Sequence, residues 1–235
     1  MENYIDFLER IHSFEKKEAD FGKDYFHVSP AVVSKVGTDN QYKEFYGDTV
    51  VFDLDADTKK KVSEYVDELY KDASECFCEQ LDYSTFHVTL HDLSNSPVLC
   101  EVADEVFENE IKIVKEVRAK IKPQIIRMKT KCVFNMVDIS LVLGLYPADE
   151  EEHRKLFALY DIVDGVKQLS YPLTPHITLA YYNCNGFDAS SARKLEKIIR
   201  RLNDNTFEII LDTKRLYYQK FTSMNDYINI LNLSD

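Results

Sequence analysis

A four-residue pattern, His-x-Thr-Leu, occurs twice in this sequence and constrains the fold more than any other feature. It stands at residues 87–90 within FHVTL and at residues 176–179 within PHITL, each time with a β-branched residue in second place. Because side chains alternate between the faces of a strand, the apolar residues of FHVTL define a core face, while His87 and Thr89 share the opposite face. The sequence therefore predicts two strands that each carry one apolar and one polar face.

The repetition exceeds what composition alone predicts. Six histidines and eleven threonines in 235 residues lead to roughly 0.3 His-x-Thr pairs by chance. Two such pairs occur, and leucine follows both. A single histidine on a strand is usually a satisfied structural residue, but two matching copies indicate a shared role.

The elements around the two copies follow a similar order, which favours an architecture of two related halves. Helices are predicted where apolar residues recur at helical spacing, with Asp57 and Asp149 as N-caps. The predicted helices span residues 1–20, 58–80, 101–122, 150–168 and 188–203. The predicted strands span 49–55, the FHVTL segment, 125–135, 137–147, 171–182, a strand pair within 206–220, and 226–232. A polar loop is expected at residues 94–97, directly after the first copy.

Composition and charge narrow the class of protein. The hydrophobic content of 45% is that of an ordinary globular chain, and no apolar run approaches the roughly 20 residues of a membrane span. The net charge of −12 disfavours long nucleic acids, whose binding depends on lysine and arginine, but a local basic pocket can still hold a small phosphorylated ligand. Five scattered cysteines without a CxxC pair indicate reduced thiols. We expect a cytoplasmic monomer with no signal peptide and no membrane segment.

The paired motif suits chemistry at phosphorus. Side chains at i and i+2 of a strand lie about 6.5 Å apart on one face, so each histidine projects together with its threonine. If the two halves pack around a pseudo-two-fold axis, the two pairs face each other across a groove. Threonine hydroxyls can donate to phosphate oxygens, one imidazole can accept a proton from the attacking group, and the other can donate one to the leaving oxygen. This chemistry requires no metal and no cofactor.

The two copies resemble the duplicated H-x-T-x signature of the 2H phosphoesterase superfamily, and SLVLGLYP at residues 140–147 is similar to the strand that opens the second lobe in that group. The resemblance covers about residues 48–235 and leaves residues 1–47 as an N-terminal extension of helix and loop. It implies a bilobal α+β fold in which two antiparallel sheets surround a central groove and the helices lie outside.

The same resemblance implies a metal-independent phosphodiesterase. His87 and His176 would be the acid–base pair, with neither role assignable to either residue, and Thr89 and Thr178 would bind the phosphate. The implied substrate is a small nucleotide or a short RNA end that carries a 2′,3′-cyclic phosphate or a 2′-5′ linkage. Two alternatives stay open: a module that binds such a ligand without cleaving it, and a partner-docking role for the N-terminal helix.

Strand alternation indicates two more residues that could line the groove. Tyr182 has the parity of His176, so it either faces the groove, where it could stack on a base or bind phosphate, or packs within the sheet. His91 has the parity of His87 and either lines the groove or lies at the surface or the end of a loop. A zinc ion shared by His87 and His91 is excluded, because four residues of strand separate them by about 13 Å.

Several other residues are weaker candidates for a functional site. FHVSP at residues 26–30 imitates the motif with His27, but Pro30 cannot donate to a strand ladder, so a lid position is the best functional reading. Arg127, Lys129 and Lys131 alternate along one strand and form either a positive groove wall or a solvated face. His12 and His153 lie on predicted helices and are expected to face solvent.

Overall fold

Two four-stranded antiparallel sheets form the framework of the protein. The computed structural model describes residues 2–15 and 20–234. The strands are β1 (Tyr25–Phe26), β2 (Tyr46–Asp53), β3 (His87–Ser96), β4 (Ile125–Met136), β5 (Ser140–Pro147), β6 (His176–Tyr181), β7 (Phe187–Asp188), β8 (Glu208–Asp212), β9 (Leu216–Ser223) and β10 (Asp226–Asn232). The first sheet has the order β10-β9-β2-β3, and the second has the order β6-β5-β4-β8.

Helices surround the two sheets. They are α1 (Tyr4–Glu15), α2 (Ala56–Ala73), α3 (Leu99–Lys112), α4 (Glu150–Asp164) and α5 (Ala189–Asn203). Helices α2 and α5 pack against each other, α3 packs on β2 and β3, and α4 packs on β3, β4 and β5. The short strands β1 and β7 form a separate two-stranded sheet.

The two motif strands occupy equivalent places in the two sheets. Strand β3 lies at one edge of the first sheet and β6 at one edge of the second, and these two edge strands contact each other. Each pairs in antiparallel fashion with the strand before it, through a connection that contains a long helix: α2 before β3 and α4 before β6. The predicted α+β fold, with two antiparallel sheets, a pseudo-two-fold arrangement and helices outside, is confirmed.

The predicted elements are largely present, with local differences. The N-cap of α2 is Asp55, whose carboxylate accepts from the Thr58 N–H at 2.8 Å, so the prediction of Asp57 is wrong. The strand pair predicted within 206–220 is also wrong: β8 pairs with β4 and β9 pairs with β2, because the 3-10 helix Thr213–Arg215 carries the chain between sheets. Of the predicted helix 1–20, the structure has Tyr4–Glu15, and residues 1 and 16–19 lie outside the described part.

Most of the polar loop predicted at residues 94–97 is instead the end of β3, which runs to Ser96. Tyr46 and Gly47 of β2 pair with Ser96 and Asn95, so the polar run stays within the ladder. A Cβ at Gly47 would lie 2.2 Å from the carbonyl oxygen of Ser94. Glycine therefore permits the close approach of β2 and β3 that lengthens the motif strand.

The core face predicted for FHVTL is buried as expected. Phe86, Val88 and Leu90 are each 1% exposed and belong to one continuous hydrophobic cluster that both sheets share. The corresponding residues after the second histidine, Ile177 and Leu179, are fully buried in the same cluster. Burial of this face against the core leaves the histidine–threonine face of each strand turned the other way.

The N-terminal segment packs on the same core as the two lobes. Phe7 and Ile11 of α1 are buried in it. The Arg10 guanidinium donates to Thr174 Oγ1 at 2.9 Å and to the Leu173 carbonyl at 2.8 Å, directly before the second motif. The domain boundary at residue 47 stays a prediction. Residues 2–15 and 20–47 contribute side chains to the same hydrophobic core as residues 48–234.

The solvated position predicted for His153 is wrong. Its ring is 2% exposed and stacks on Phe157 with a centroid distance of 4.2 Å. Tyr4 and Phe7 of α1 lie on the ring at 5.4 and 5.3 Å. The docking of α1 on α4 covers this histidine, an effect that the local helical pattern of α4 could not reveal.

We expect Phe86→Ala to lower the free energy of unfolding by about 3–5 kcal/mol, because it removes a buried aromatic ring and leaves a cavity. The matched control is Phe107→Ala, since Phe107 is 63% exposed on α3, and it should change stability by about 0.5 kcal/mol or less. Urea denaturation followed by circular dichroism measures both. Equal losses for the two variants would contradict the placement of the FHVTL face in the core.

Candidate active site

Both motifs open into one cavity of about 610 Å³ between the lobes. His87 and Thr89 line it from β3, and His176 and Thr178 line it from β6. Within the described residues, neither threonine hydroxyl has a hydrogen-bond partner. The structure thus brings the four predicted site residues together on one surface, with both hydroxyls available to a ligand.

The two histidines are held by the same backbone contact. His87 Nδ1 lies 2.6 Å from the carbonyl oxygen of Thr85, and His176 Nδ1 lies 2.7 Å from the carbonyl oxygen of Thr174. A carbonyl only accepts, so Nδ1 of each ring must carry the hydrogen. Each neutral imidazole therefore keeps the lone pair of Nε2 for the cavity, which is the tautomer that can accept a proton there.

Each motif is followed by a β-bulge at the same place. On β3, Thr89 pairs with Val51 and His91 with Val50, so Leu90 is an extra residue. On β6, Thr178 pairs with Val142 and Ala180 with Leu141, so Leu179 is the extra residue there. A bulge shifts the alternation of side chains by one position, and the residues beyond each motif therefore face opposite to the simple parity.

The bulge decides between the two alternatives for Tyr182 in favour of packing within the sheet and against a groove-facing position. Tyr182 is fully buried and packs on Phe26, with a centroid distance of 5.0 Å, and on Phe77, at 5.9 Å. It does not line the cavity. Its neighbour Tyr181 lines the cavity instead, because the extra residue on β6 turns the odd-numbered position toward the groove.

His91 borders the cavity, but its imidazole is engaged elsewhere. The ring is buried, its Nε2 lies 3.1 Å from the Asp164 carboxylate of α4, and it packs against Tyr160 at 4.8 Å. A surface or loop-end position is therefore wrong. Beyond the bulge it is Asp92 whose side chain takes the groove-facing position, where Tyr171 donates to its Oδ2 at 3.1 Å.

Burial sets the protonation of the two motif histidines. Removal from water lowers the pKa of His87 and of His176 below the ordinary 6.5, because the charged ring loses hydration. The bond to the backbone carbonyl opposes this in both rings, and so does the negative charge of Asp92. The proximity of His176 lowers the pKa of His87 further. Both rings are consequently neutral in the free protein at neutral pH.

Sequence reasoning missed several residues of this cavity. Among them are Lys35 and Phe45 from the N-terminal segment, Asp92 from β3, and Tyr227 from the last strand, whose ring lies 5.0 Å from that of His87. A sequence signal was available only for Thr85 and Thr174, whose carbonyls hold the two histidines. Each stands two residues before its histidine, which extends the repeat to T-x-H-x-T-L. Lys35 has no such signal, since it comes from outside the repeated pattern.

The weaker candidates do not line this cavity. His27 is exposed and lies on the ring of Tyr25 at 5.0 Å. Arg127 forms ion pairs with Asp149 at 2.9 Å and with Glu152 at 3.0 Å.

Across residues 2–15 and 20–234, no three histidine, cysteine or acidic side chains are grouped to hold a metal ion. In that same part of the chain, no helix combines the length and apolar character of a membrane span.

Known proteins share this fold at low sequence identity. A conserved protein of unknown function from Agrobacterium tumefaciens aligns with a TM-score of 0.64 and 13% identity, over 88% of this chain and 94% of the other. E. coli LigT in complex with 3′-AMP aligns with a TM-score of 0.50 and 14% identity, over 80% of this chain and 97% of LigT. No family model and no curated protein matches the sequence. These alignments show that the chain shares its fold with LigT and with the Agrobacterium protein.

We expect His87 and His176 to titrate below pH 6.5 in a histidine NMR titration of the free protein, because burial disfavours the charged rings. The midpoint of His87 should rise in His176→Gln, since one source of repulsion is removed. Because the folded pKa values lie below the unfolded one, the free energy of unfolding should decline as the pH falls below about 6.5. A midpoint of His87 above 6.5 would contradict this placement.

Proposed function

We propose that the protein is a metal-independent phosphodiesterase, with His87 and His176 as its acid–base pair. One observation carries the proposal: two imidazoles with matching backbone anchors line one cavity together with two threonine hydroxyls, and their Nε2 atoms and hydroxyls have no hydrogen-bond partner among residues 2–15 and 20–234. A site that only binds phosphate needs hydrogen-bond donors. Two imidazoles that both present Nε2 to the cavity suit proton transfer on the two sides of a phosphorus atom.

The proposed reaction is an in-line displacement. The neutral ring of one histidine accepts a proton from the attacking water at Nε2 while the oxygen–phosphorus bond forms. The other histidine, protonated, donates its Nε2 proton to the leaving oxygen as the opposite phosphorus–oxygen bond breaks. Thr89 and Thr178 donate to the non-bridging oxygens and stabilise their charge. The anionic phosphate favours protonation of the acid histidine, which is neutral in the free protein.

The proposed substrate is a small nucleotide or a short RNA end with a 2′,3′-cyclic phosphate or a 2′-5′ linkage. A cavity of about 610 Å³ is of the size that holds a nucleotide-sized ligand. Tyr181 and Tyr227 give it aromatic surface, which suits a base. LigT, which has the same fold, is known in complex with 3′-AMP. The net charge of −12 favours such small ligands over long nucleic acids.

A binding module without catalysis is the second candidate. It is favoured by one observation: burial lowers the pKa of both histidines, so neither motif histidine is a ready proton donor in the free protein. Such a module would bind the same nucleotide and release it unchanged. Product formation from a 2′,3′-cyclic nucleotide distinguishes the two functions directly.

We expect His87→Gln and His176→Gln each to lower kcat for a 2′,3′-cyclic nucleotide by about 10²–10⁴-fold, because each removes one proton transfer. Thr89→Val and Thr178→Val should raise KM and lower kcat/KM by about tenfold through loss of a hydrogen bond to phosphate. Steady-state kinetics with chromatographic product analysis measures these effects. His27→Gln, at an exposed histidine outside the cavity, is the control and should retain full activity. Full activity in either motif-histidine variant would refute the acid–base assignment.

We expect activity to be unchanged in excess EDTA, since the proposed reaction uses only protein groups. The pH profile of kcat/KM should be bell-shaped, and its acid limb should lie below pH 6.5, because burial lowers the pKa of the histidine that must be neutral. Activity should fall again at higher pH as the acid histidine loses its proton, and since burial lowers the pKa of that histidine too, the alkaline limb of kcat/KM should also reflect a pKa below 6.5. Loss of activity with chelator and its return with added metal would argue against this mechanism.

A further inference from the structure

Lys35 reaches the cavity from the N-terminal segment, outside both lobes. It directly follows the 3-10 helix Pro30–Ser34, and its N–H donates to the Val32 carbonyl at 2.8 Å. Its own carbonyl accepts from the Lys43 N–H at 2.9 Å. The backbone of Lys35 is therefore held on both sides, and its side chain lines the cavity that contains the two motifs.

The Lys35 ammonium has no anionic partner in the described part of the chain. Its Nζ lies over the rings of Phe45 and Tyr181, at 5.1 and 5.5 Å from their centroids. It makes no hydrogen bond or ion pair there, whereas Lys59 pairs with Asp53 at 2.7 Å and Lys167 with Glu105 at 2.7 Å. Asp92, the cavity carboxylate, lies beyond ion-pair distance from Lys35 and is bonded by Tyr171 instead.

An ammonium placed in this way is destabilised without a ligand. Burial lowers the pKa of Lys35, and the two rings supply only a cation–π attraction. A phosphate oxygen would restore a charge-assisted hydrogen bond to Nζ in a site partly shielded from water. The position is therefore suited to an anionic group of a ligand, since the described residues supply none within bonding distance of Nζ.

In the described part of the chain, the Lys35 ammonium lies over two aromatic rings and is bonded to none of the four motif side chains. The ammonium lies over Tyr181, which follows Thr178 by three residues on β6. Three residues of regular strand span about 10 Å, and the bulge at Leu179 brings the two Cα atoms somewhat closer than that. A sugar ring fits between a phosphate held by the two motifs and a second phosphate near Tyr181.

We propose that Lys35 binds a second phosphate of the substrate, the 5′-phosphate of a nucleotide whose 2′,3′-cyclic phosphate lies between the two motifs. This inference rests on the proposed function. It makes the N-terminal segment the part of the chain that selects 5′-phosphorylated ends. Lysine suits this role as a compact charge that can follow the rotation of a phosphate monoester.

The turnover experiment compares adenosine 2′,3′-cyclic phosphate with the same nucleotide carrying a 5′-phosphate. In the unaltered protein the 5′-phosphate should raise kcat/KM about tenfold through one charge-assisted hydrogen bond. Lys35→Gln should bring this ratio close to one, and Lys35→Arg should keep most of it. Lys43→Gln is the matched control, since it makes the same charge change at an exposed lysine of the same segment, and it should keep the full ratio.

Two kinetic results would overturn the proposal. An unchanged ratio in Lys35→Gln would show that Lys35 does not contact the 5′-phosphate. An equal loss of kcat/KM for both nucleotides, with the ratio intact, would place Lys35 at the reacting phosphate. Thermal unfolding of each variant ensures that the compared proteins are folded.

A binding experiment separates this proposal from the proposed function. Calorimetric titration with adenosine 2′-phosphate and adenosine 2′,5′-bisphosphate requires no turnover. The second phosphate should tighten binding about tenfold in the unaltered protein and in Lys43→Gln, but not in Lys35→Gln. That result without any turnover would support the Lys35 site and reject the phosphodiesterase. Turnover without any gain from the second phosphate would support the phosphodiesterase and reject the Lys35 site.

Discussion

The site depends on the packing of two sheet edges against each other. Strands β3 and β6 each have a sheet partner on one side only, and these two edge strands contact each other. Their apolar faces are buried in the shared core, so their polar faces are left to form the walls of one cavity. The hydrophobic burial that joins the lobes therefore also sets the separation and orientation of His87 and His176.

Two backbone features refine that placement. A carbonyl two residues before each histidine orients the ring and selects its tautomer, and a bulge after each threonine ends the polar face of the motif. The bulge brings Asp92 and Tyr181 to the groove, where the carboxylate of Asp92 opposes the lowering of both histidine pKa values by burial. The cavity thus contains neutral proton acceptors, hydroxyl donors and one carboxylate, with the Lys35 ammonium at its N-terminal side.

Much of the fold could be predicted because its determinants are local. Apolar periodicity marked most helices and strands, and Asp149 is the N-cap of α4, as its sequence position indicates. The predictions are wrong where contacts between residues far apart in the sequence determine the structure. His153 is buried only because α1 covers it, and β8 and β9 separate because each finds its partner in a different sheet. For Tyr182 the sequence leaves a groove position and a sheet position open, and the bulge in β6 decides for the sheet.

The amino-acid sequence by itself determined the two motif strands, their apolar faces and the four residues that meet in the cavity, because period-two alternation and an exact repeat are local properties of the chain. Only the tertiary structure decided which neighbours join them. Bulges depend on the register between strands, and the approach of Lys35 depends on how the N-terminal segment packs across the groove. These are contacts between residues far apart in the chain, and no local pattern encodes them.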